Sequence, residues 1–335
     1  MRIVYLGTPQ AAAPPLQALL GSRHELLAVV TRPDKPRDHA GGRLSPSPVK
    51  RVAEAAGLPL LQPARSRDPE FPAALARLGA DIGISCAFGL LLPRAVLDAF
   101  PAGVLNIHFS LLPAYRGAAP VQHALLDGLA VTGVTIFQVD EGMDTGPVLA
   151  SAEVPVAPEE TAGALTGRLA EVGAQLLLDT LDGLEAGSLA PRPQPEAGVS
   201  MAPKLDPGQA RLEFDAPARS VVDAVRAFTP SPGAWTTLRG RRLKVLRASL
   251  PAATLPAPPG VTSAEHPQPA AADGEPIPRL APGEVAVTGP LGDLVAGAAD
   301  GPVRLDVVQP AGRRAMPGAD FARGARPRPG ERLGT

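Results

Sequence analysis

Asn106 and His108 lie two residues apart in the apolar run VLNIH, Val104–His108, and Asp144 follows in the turn EGMDTG after a second β-rich run, TGVTIFQV. Side chains two apart on a strand project from one face of the pleat, so VLNIH as a strand puts the amide and the imidazole side by side. Proton transfer beside a developing oxyanion is the chemistry open to such a set. The imidazole of His108 handles a proton, the carboxylate of Asp144 orients or polarises it, and the amide of Asn106 donates to an oxyanion forming at a carbonyl carbon. The turn-rich SLLPAYRG that follows VLNIH occupies the position where open α/β sheets hold their ligands, just beyond the carboxyl end of a strand. An Asn–His pair alone also fits a satisfied structural contact, so the surrounding sequence has to separate the two.

The segment Val104–Thr145 resembles the 10-formyltetrahydrofolate-dependent formyltransferases, whose signature is an Asn-x-His pair, a Ser-Leu-Leu-Pro turn and a downstream Asp. The resemblance implies Asn106, His108 and Asp144 as the catalytic set and Ser110, Leu111, Leu112 and Pro113 as the turn on the folate side. It extends to FGLLLP, where Phe88, Gly89 and Leu90 stand at the family's apolar wall for the pterin ring, with Phe88 where Tyr is more common. The long loop from Thr31 to Lys50 ends in PSPVK, like the flexible basic loop of those members that act on methionyl-tRNA. Arg32, Lys35, Arg37 and Arg43 in that loop could neutralise phosphates. Further on, RAFTPSPGAW resembles the family's entry into its C-terminal domain, and VQPAGRRAM, with Arg313 and Arg314, its late basic loop, read here as an RNA backbone contact. The implied donor is 10-formyltetrahydrofolate, and the implied acceptor is the α-amine of methionine esterified to initiator tRNA. A formyltransferase of sugar nucleotides or of glycinamide ribonucleotide would share the Asn-His-Asp core, but a small acceptor needs neither the long loop nor a basic C-terminal half. A non-catalytic RNA-binding protein on the same fold is opposed by the intact triad, and a serine hydrolase by the lack of a G-x-S-x-G elbow.

These residues need a sheet to stand on, and the flanking sequence supplies one. RIVYL, AAPPLQALLGS and HELLAVVT read as strand, helix, strand, with apolar runs continuous enough for a parallel sheet covered on both faces. The first turn, GTPQA, lacks the glycine spacing of a dinucleotide fingerprint, which disfavours NAD or FAD, while Gly7 permits a close backbone approach. Ser47 and Pro48 suit an N-cap and first helical position for PVKRVAEAAG. LPLLQ, DPEFPAALARLG, ADIGISCAF and PRAVLDAF continue the alternation of strand and helix up to VLNIH. Beyond it come the helix AAPVQHALLDG, the TGVTIFQV strand, a strand over Pro147–Pro155 and a long amphipathic helix to residue 187.

The expected architecture is therefore α/β, a doubly wound, mostly parallel Rossmann-like sheet over residues 1–187 as the catalytic domain. A Pro- and Ala-rich linker is expected over 188–206. Residues 207–335 would form a smaller domain that binds tRNA, with strands at Ala234–Leu238, Arg242–Leu250, Gly283–Thr288 and Val303–Val308 giving an OB-like Greek-key β-barrel. A Pro/Ala-rich insertion at 251–282 is expected to be mobile.

Composition agrees with a two-domain soluble protein: 335 residues, 45% hydrophobic, 19% charged, net charge −1. The lone Cys86 excludes an intrachain disulfide and points to a reducing compartment. No basic leader or long apolar span is present, so a cytoplasmic, soluble protein away from membranes is expected; a monomer is the expected state. The five histidines show no metal-binding spacing, and no metal is expected. Charge is unevenly distributed: residues 1–203 hold 15 Lys+Arg against 20 Asp+Glu, residues 204–335 hold 17 against 13, which suits an anionic partner for the second half.

Overall fold

The structure, a computed structural model, describes residues 1–36, 44–251 and 279–334. The chain forms two compact units: Met1–Val121 with Ala130–Val156 and Ala164–Lys204, and Gln122–Leu129 with Ala157–Gly163 and Leu205–Thr335.

In the first unit, β1 (Arg2–Gly7) and β2 (Glu25–Val30) pair in parallel, as the apolar runs required. A two-residue hairpin, β3 (Lys35–Pro36) with β4 (Leu44–Ser45), closes the base of the long loop. β5 (Leu60–Leu61), β6 (Ile82–Cys86), β7 (Val104–His108), β8 (Val131–Gln138) and β9 (Val148–Pro155) complete a seven-stranded sheet of order β5-β2-β1-β6-β7-β8-β9. Strands up to β7 run parallel, and β8 and β9 are antiparallel. β7 is thus the strand at which the sheet changes character, with Asn106 beside Ser85 on one flank and Phe137 on the other. Every residue of β6 is buried, the outcome of helices on both faces.

The helices begin and end on local chemistry. α1 (Ala13–Leu20) opens with prolines, and α2 (Pro48–Ala55) is capped as expected, the Ser47 hydroxyl accepting from the Lys50 N–H at 3.0 Å. α3 (Glu70–Leu78) stops at Gly79, whose φ of 60° suits a left-handed C-cap. α4 (Arg94–Leu97) and α5 (Pro120–Leu126) are short. α6 (Ala162–Glu185) buries Leu165, Leu169, Leu177 and Leu181 along one stripe. It also carries Gly173, where a Cβ would stand 2.8 Å from Ile107 Cγ2, so the helix lies directly against β7.

The second unit holds α7 (Ala218–Phe228), β10 (Trp235–Leu238), β11 (Arg241–Ser249), β12 (Val285–Thr288), β13 (Asp293–Gly297), β14 (Pro302–Pro310), β15 (Met316–Pro317) and α8 (Gly318–Ala325). The strands form an antiparallel sheet of order β10-β11-β14-β13-β12 with β15 on β14. At the chain's end Leu333 bridges to Leu238 on β10 and Arg332 to Glu284 beside β12, so one short segment joins both edges of the sheet, as a barrel-like closure requires. Its core includes Phe214, Val225, Phe228, Val245, Leu294, Val303 and Leu305.

Three expectations change. The tract 188–206 is no free tether: Arg192 exchanges backbone hydrogen bonds with Val148 (2.7 and 2.8 Å), and the tract belongs to the first unit up to Lys204. The segments Gln122–Leu129 and Ala157–Gly163 group with the second unit, because Leu126 packs on its core and Arg226 donates to the carbonyls of Ala157 and Glu160. β13 and α8 were not foreseen. Most of the 251–282 insertion, residues 252–278, lies outside the described residues.

Candidate active site

His108 ends β7 and is 5% exposed. Its Nε2 lies 2.9 Å from the Tyr115 carbonyl oxygen. A carbonyl only accepts, so Nε2 carries the ring proton; the tautomer is assigned from this partner. Nδ1 then holds the lone pair, and it lies 3.7 Å from Asp144 Oδ2. Phe137 meets the ring edge-on at 6.3 Å and fixes its plane.

Asp144 is held at both ends. Its Oδ2 accepts the Gly117 N–H at 2.7 Å, and its own carbonyl accepts from Gln194 Nε2 at 2.8 Å. Both Asp144 (φ 54°) and Tyr115 (φ 59°) sit in the left-handed region. Such backbone costs on the order of 1–3 kcal/mol outside glycine and persists only where the surroundings impose it. Here the surroundings are the tract after α6. Ser200 Oγ accepts the Tyr115 N–H at 2.9 Å, the Ser200 carbonyl accepts Arg116 N–H at 2.9 Å, and Ala202 N–H donates to the Arg116 carbonyl at 2.7 Å. Gly117 has φ 122°, and a Cβ there would stand 2.7 Å from the Ala202 carbonyl, so only glycine allows this strap to lie so close.

Asn106 is half-buried on the same strand face as His108. Among the described residues its side-chain amide has no hydrogen-bond partner, which leaves two N–H donors for a ligand.

The turn Ser110–Pro113 is built on Thr135, the residue opposite His108 in the β7–β8 register. Thr135 Oγ1 donates to the Ser110 carbonyl at 2.7 Å and accepts the Leu112 N–H at 3.1 Å. The Ser110 hydroxyl is fully buried and donates to the Ala114 carbonyl at 2.6 Å, so it serves the turn itself. Leu111, Leu112 and Pro113 are half-buried.

After β6, the Phe88 ring is 3% exposed and packs in the core with Val4, Leu6 and Phe71. The exposed residues of that loop are Ala87, Gly89 and the 71%-exposed Leu91, while Leu90 is half-buried against the same core. Thr8 ties the ends of three strands together: its hydroxyl donates to the Phe88 carbonyl at 3.3 Å and accepts the Arg32 N–H at 3.3 Å. Arg32 Nη1 lies 3.9 Å from the place a Cβ on Gly89 would occupy. Arg37, Arg43 and the Lys35 side chain lie outside the described residues. Lys50 Nζ meets Asp34 Oδ2 at 2.7 Å, which raises the lysine and lowers the carboxyl from their ordinary values; Lys50 thus anchors the loop's base.

In the second unit, Arg313 and Arg314 follow β14 and are exposed. Arg313 borders a cleft of about 310 Å³ together with Arg241, Arg242 and Phe321. The Arg242 guanidinium lies 4.2 Å from the Trp235 ring centroid. Arg241 and Arg242 make no ion pair among the described residues, and sequence inspection did not single them out.

Two other candidates resolve as structural. Cys86 is buried and its thiol is pushed up to about 12 by burial, the state of a core residue. His24, Asp182 and Glu185 are the one described group whose ligand-type atoms converge, within 4.8 Å. Arg23 Nη2 occupies that group, at 2.7 Å from Asp182 and 2.5 Å from Glu185.

Comparison with known proteins adds a second line. Residues 1–181 match the family model described as formyl transferase, and residues 204–326 match the formyl transferase C-terminal domain. A methionyl-tRNA formyltransferase of Acidothermus cellulolyticus is 48% identical over 339 residues, covering 99% of this chain and 100% of that protein. One from Thermobifida fusca is 48% identical over 334 residues, covering 100% of this chain and 99% of that protein. Among solved structures, HypX of Aquifex aeolicus in complex with tetrahydrofolic acid has the same fold, with a TM-score of 0.62 at 19% identity over 96% of this chain and 47% of that one.

Proposed function

The chain belongs to the formyl transferase family, and on that premise we propose that it moves the formyl group of 10-formyltetrahydrofolate onto the α-amine of methionine carried by initiator tRNA. The observation that carries the chemistry is the His108 ring, held by the Tyr115 carbonyl with Nδ1 turned to Asp144.

An α-amine titrates at about 8, so a neutral nucleophile is present near pH 7 and no covalent enzyme intermediate is needed. Attack of that nitrogen on the formyl carbon turns the carbonyl oxygen into an oxyanion. The Asn106 amide, which has no hydrogen-bond partner among the described residues, donates to it in this reading, and one such donor is worth roughly 3–4 kcal/mol. As the new C–N bond forms, the nucleophile's proton passes to His108 Nδ1. Asp144 stabilises the resulting imidazolium. The same proton then goes to N10 of the folate as its bond to the formyl carbon breaks. Proton handling of this kind contributes typically about 10²–10⁴ in rate.

The turn Ser110–Pro113 and the loop Phe88–Leu90 are the proposed folate contacts, through backbone and through Leu90, Leu111 and Leu112, with the Phe88 ring supporting the loop from below. Arg32, Lys35, Arg37 and Arg43 on the long loop, and Arg313 and Arg314 with their neighbours Arg241 and Arg242, are the proposed contacts to the RNA backbone. No described helix is long and apolar enough to cross a membrane, and the proposed setting is the cytoplasm, with the protein acting as a monomer and without a metal.

Incubation with labelled folate donor and charged initiator tRNA tests the assignment, with charged elongator tRNA, a sugar nucleotide and glycinamide ribonucleotide as parallel acceptors. Label is expected on the initiator tRNA alone. Transfer to a small acceptor and none to tRNA overturns the choice of acceptor, and no transfer to any of them overturns the activity.

A further inference from the structure

Gln194 lies in the Pro-rich tract after α6, outside every motif that points to catalysis, yet its amide is fully engaged. We propose that Gln194 is a positioning residue, which holds Asp144 in the left-handed backbone from which its carboxylate reaches His108. The inference rests on the reading of His108 and Asp144 as the proton-transfer pair.

A primary amide has two N–H donors and one carbonyl acceptor. Gln194 Nε2 donates to the carbonyl oxygens of both Asp144 and Gly146, each at 2.8 Å. Its Oε1 accepts from Arg116 Nε at 3.1 Å and Arg116 Nη2 at 2.6 Å, so a guanidinium fork fixes which way the amide faces. Turned over, the amide would set its oxygen against two carbonyls and its N–H groups against a cation. Next to Arg116 stands Gly117, whose N–H holds Asp144 Oδ2 at 2.7 Å. A closed circuit results: Arg116 orients Gln194, Gln194 fixes the Asp144 main chain, and Gly117 fixes the Asp144 side chain. Asp144 itself has φ 54°, a conformation it would leave readily in a free loop. The carboxylate lies 3.7 Å from Nδ1 in this arrangement, and a small rotation of the loop would carry it out of reach.

Gln194→Leu keeps the volume and removes both donors. It should lower kcat by about tenfold, the scale at which orienting partners of a reactive group act, and leave the KM for donor and for charged tRNA within about twofold. The discriminating measurement is the double-mutant cycle with Asp144→Asn: in that background Gln194→Leu should cost almost nothing more, because the group it positions is already disabled. A general structural role predicts equal losses in both backgrounds. Equal losses, or an unchanged kcat for a folded Gln194→Leu, overturn the proposal. If Gln194→Leu does not fold, Arg116→Met withdraws only the guanidinium fork and must show the same non-additivity with Asp144→Asn; additive losses there also overturn it. Should Asp144→Asn alone turn over at the unsubstituted rate, the proton-transfer reading falls and this inference with it, an outcome distinct from additivity on an impaired Asp144→Asn.

Discussion

His108 gives its two ring nitrogens to different partners, and that division assigns the work of the residues around it. With Nε2–H spent on the Tyr115 carbonyl, the neutral ring has no second donor to offer an oxyanion, and the mechanism we propose accordingly gives oxyanion stabilisation to Asn106 and proton movement to Nδ1. Asn106→Ala should therefore lower kcat by about 10²-fold or more while the dissociation constant of the folate donor, measured by titration, stays within about twofold. Near-normal turnover would remove Asn106 from the mechanism. That Asn106 and His108 share a strand face and that Asp144 comes back to His108 was legible in sequence, because each stands next to a recognisable run: the period-two strand, the SLLP turn, the EGMDTG turn. Thr135, Gln194 and Ser200 were not. A hydroxyl or amide that acts by holding a backbone carbonyl or N–H leaves no local pattern, and Gln194 is 50 residues from the Asp144 carbonyl it binds. The Phe88 ring shows the converse, an aromatic in a recognisable motif whose side chain the fold takes into the core.

At the scale of elements, the βα alternation of the first unit was readable because buried parallel strands are continuous apolar runs and helices carry their own caps, as Ser47 does. Tract 188–206 read as a linker because it has no hydrophobic periodicity; up to Lys204 it stays on the first unit through backbone bridges and polar side chains, which composition does not report. β13 escaped because DLVAG is short and apolar without alternation. The C-terminal segment that joins both edges of the second sheet is secured by a bidentate pair, Arg239 with Glu331 at 2.5 and 2.8 Å. The Arg239 guanidinium, with help from the Arg328 N–H, holds the Glu331 carboxyl down at about 2, below its ordinary 4.5. A carboxyl depressed in the folded state stabilises fully above its unfolded value and loses that contribution as the pH falls toward the folded one. Denaturant titration of Arg239→Met should accordingly show its whole stability deficit near pH 6 and a deficit that shrinks as the pH is lowered from 4.5 toward 2. A deficit independent of pH would mean that the ion pair does not secure this segment.

For the whole molecule, the sequence shows its two-part plan in the opposed charge of its halves, −5 over residues 1–203 and +4 over 204–335. Where the positive charge gathers was not visible, because Arg241 and Arg242 come to Arg313 through strand pairing across β11 and β14. If this cluster meets an RNA backbone, Arg242→Ala and Arg313→Ala should each weaken binding of charged initiator tRNA and reduce the slope of log affinity against log salt by about 1. An unchanged slope would place the RNA elsewhere. The central claim, that one imidazole at the end of β7 moves the proton of formyl transfer with Asp144 behind it, is tested most directly by single-turnover transfer from saturating 10-formyltetrahydrofolate to charged initiator tRNA in His108→Ala and Asp144→Asn. Both rates should fall by about 10²-fold or more, with the donor still bound normally. Rates within about threefold of the unsubstituted protein in either variant would contradict it.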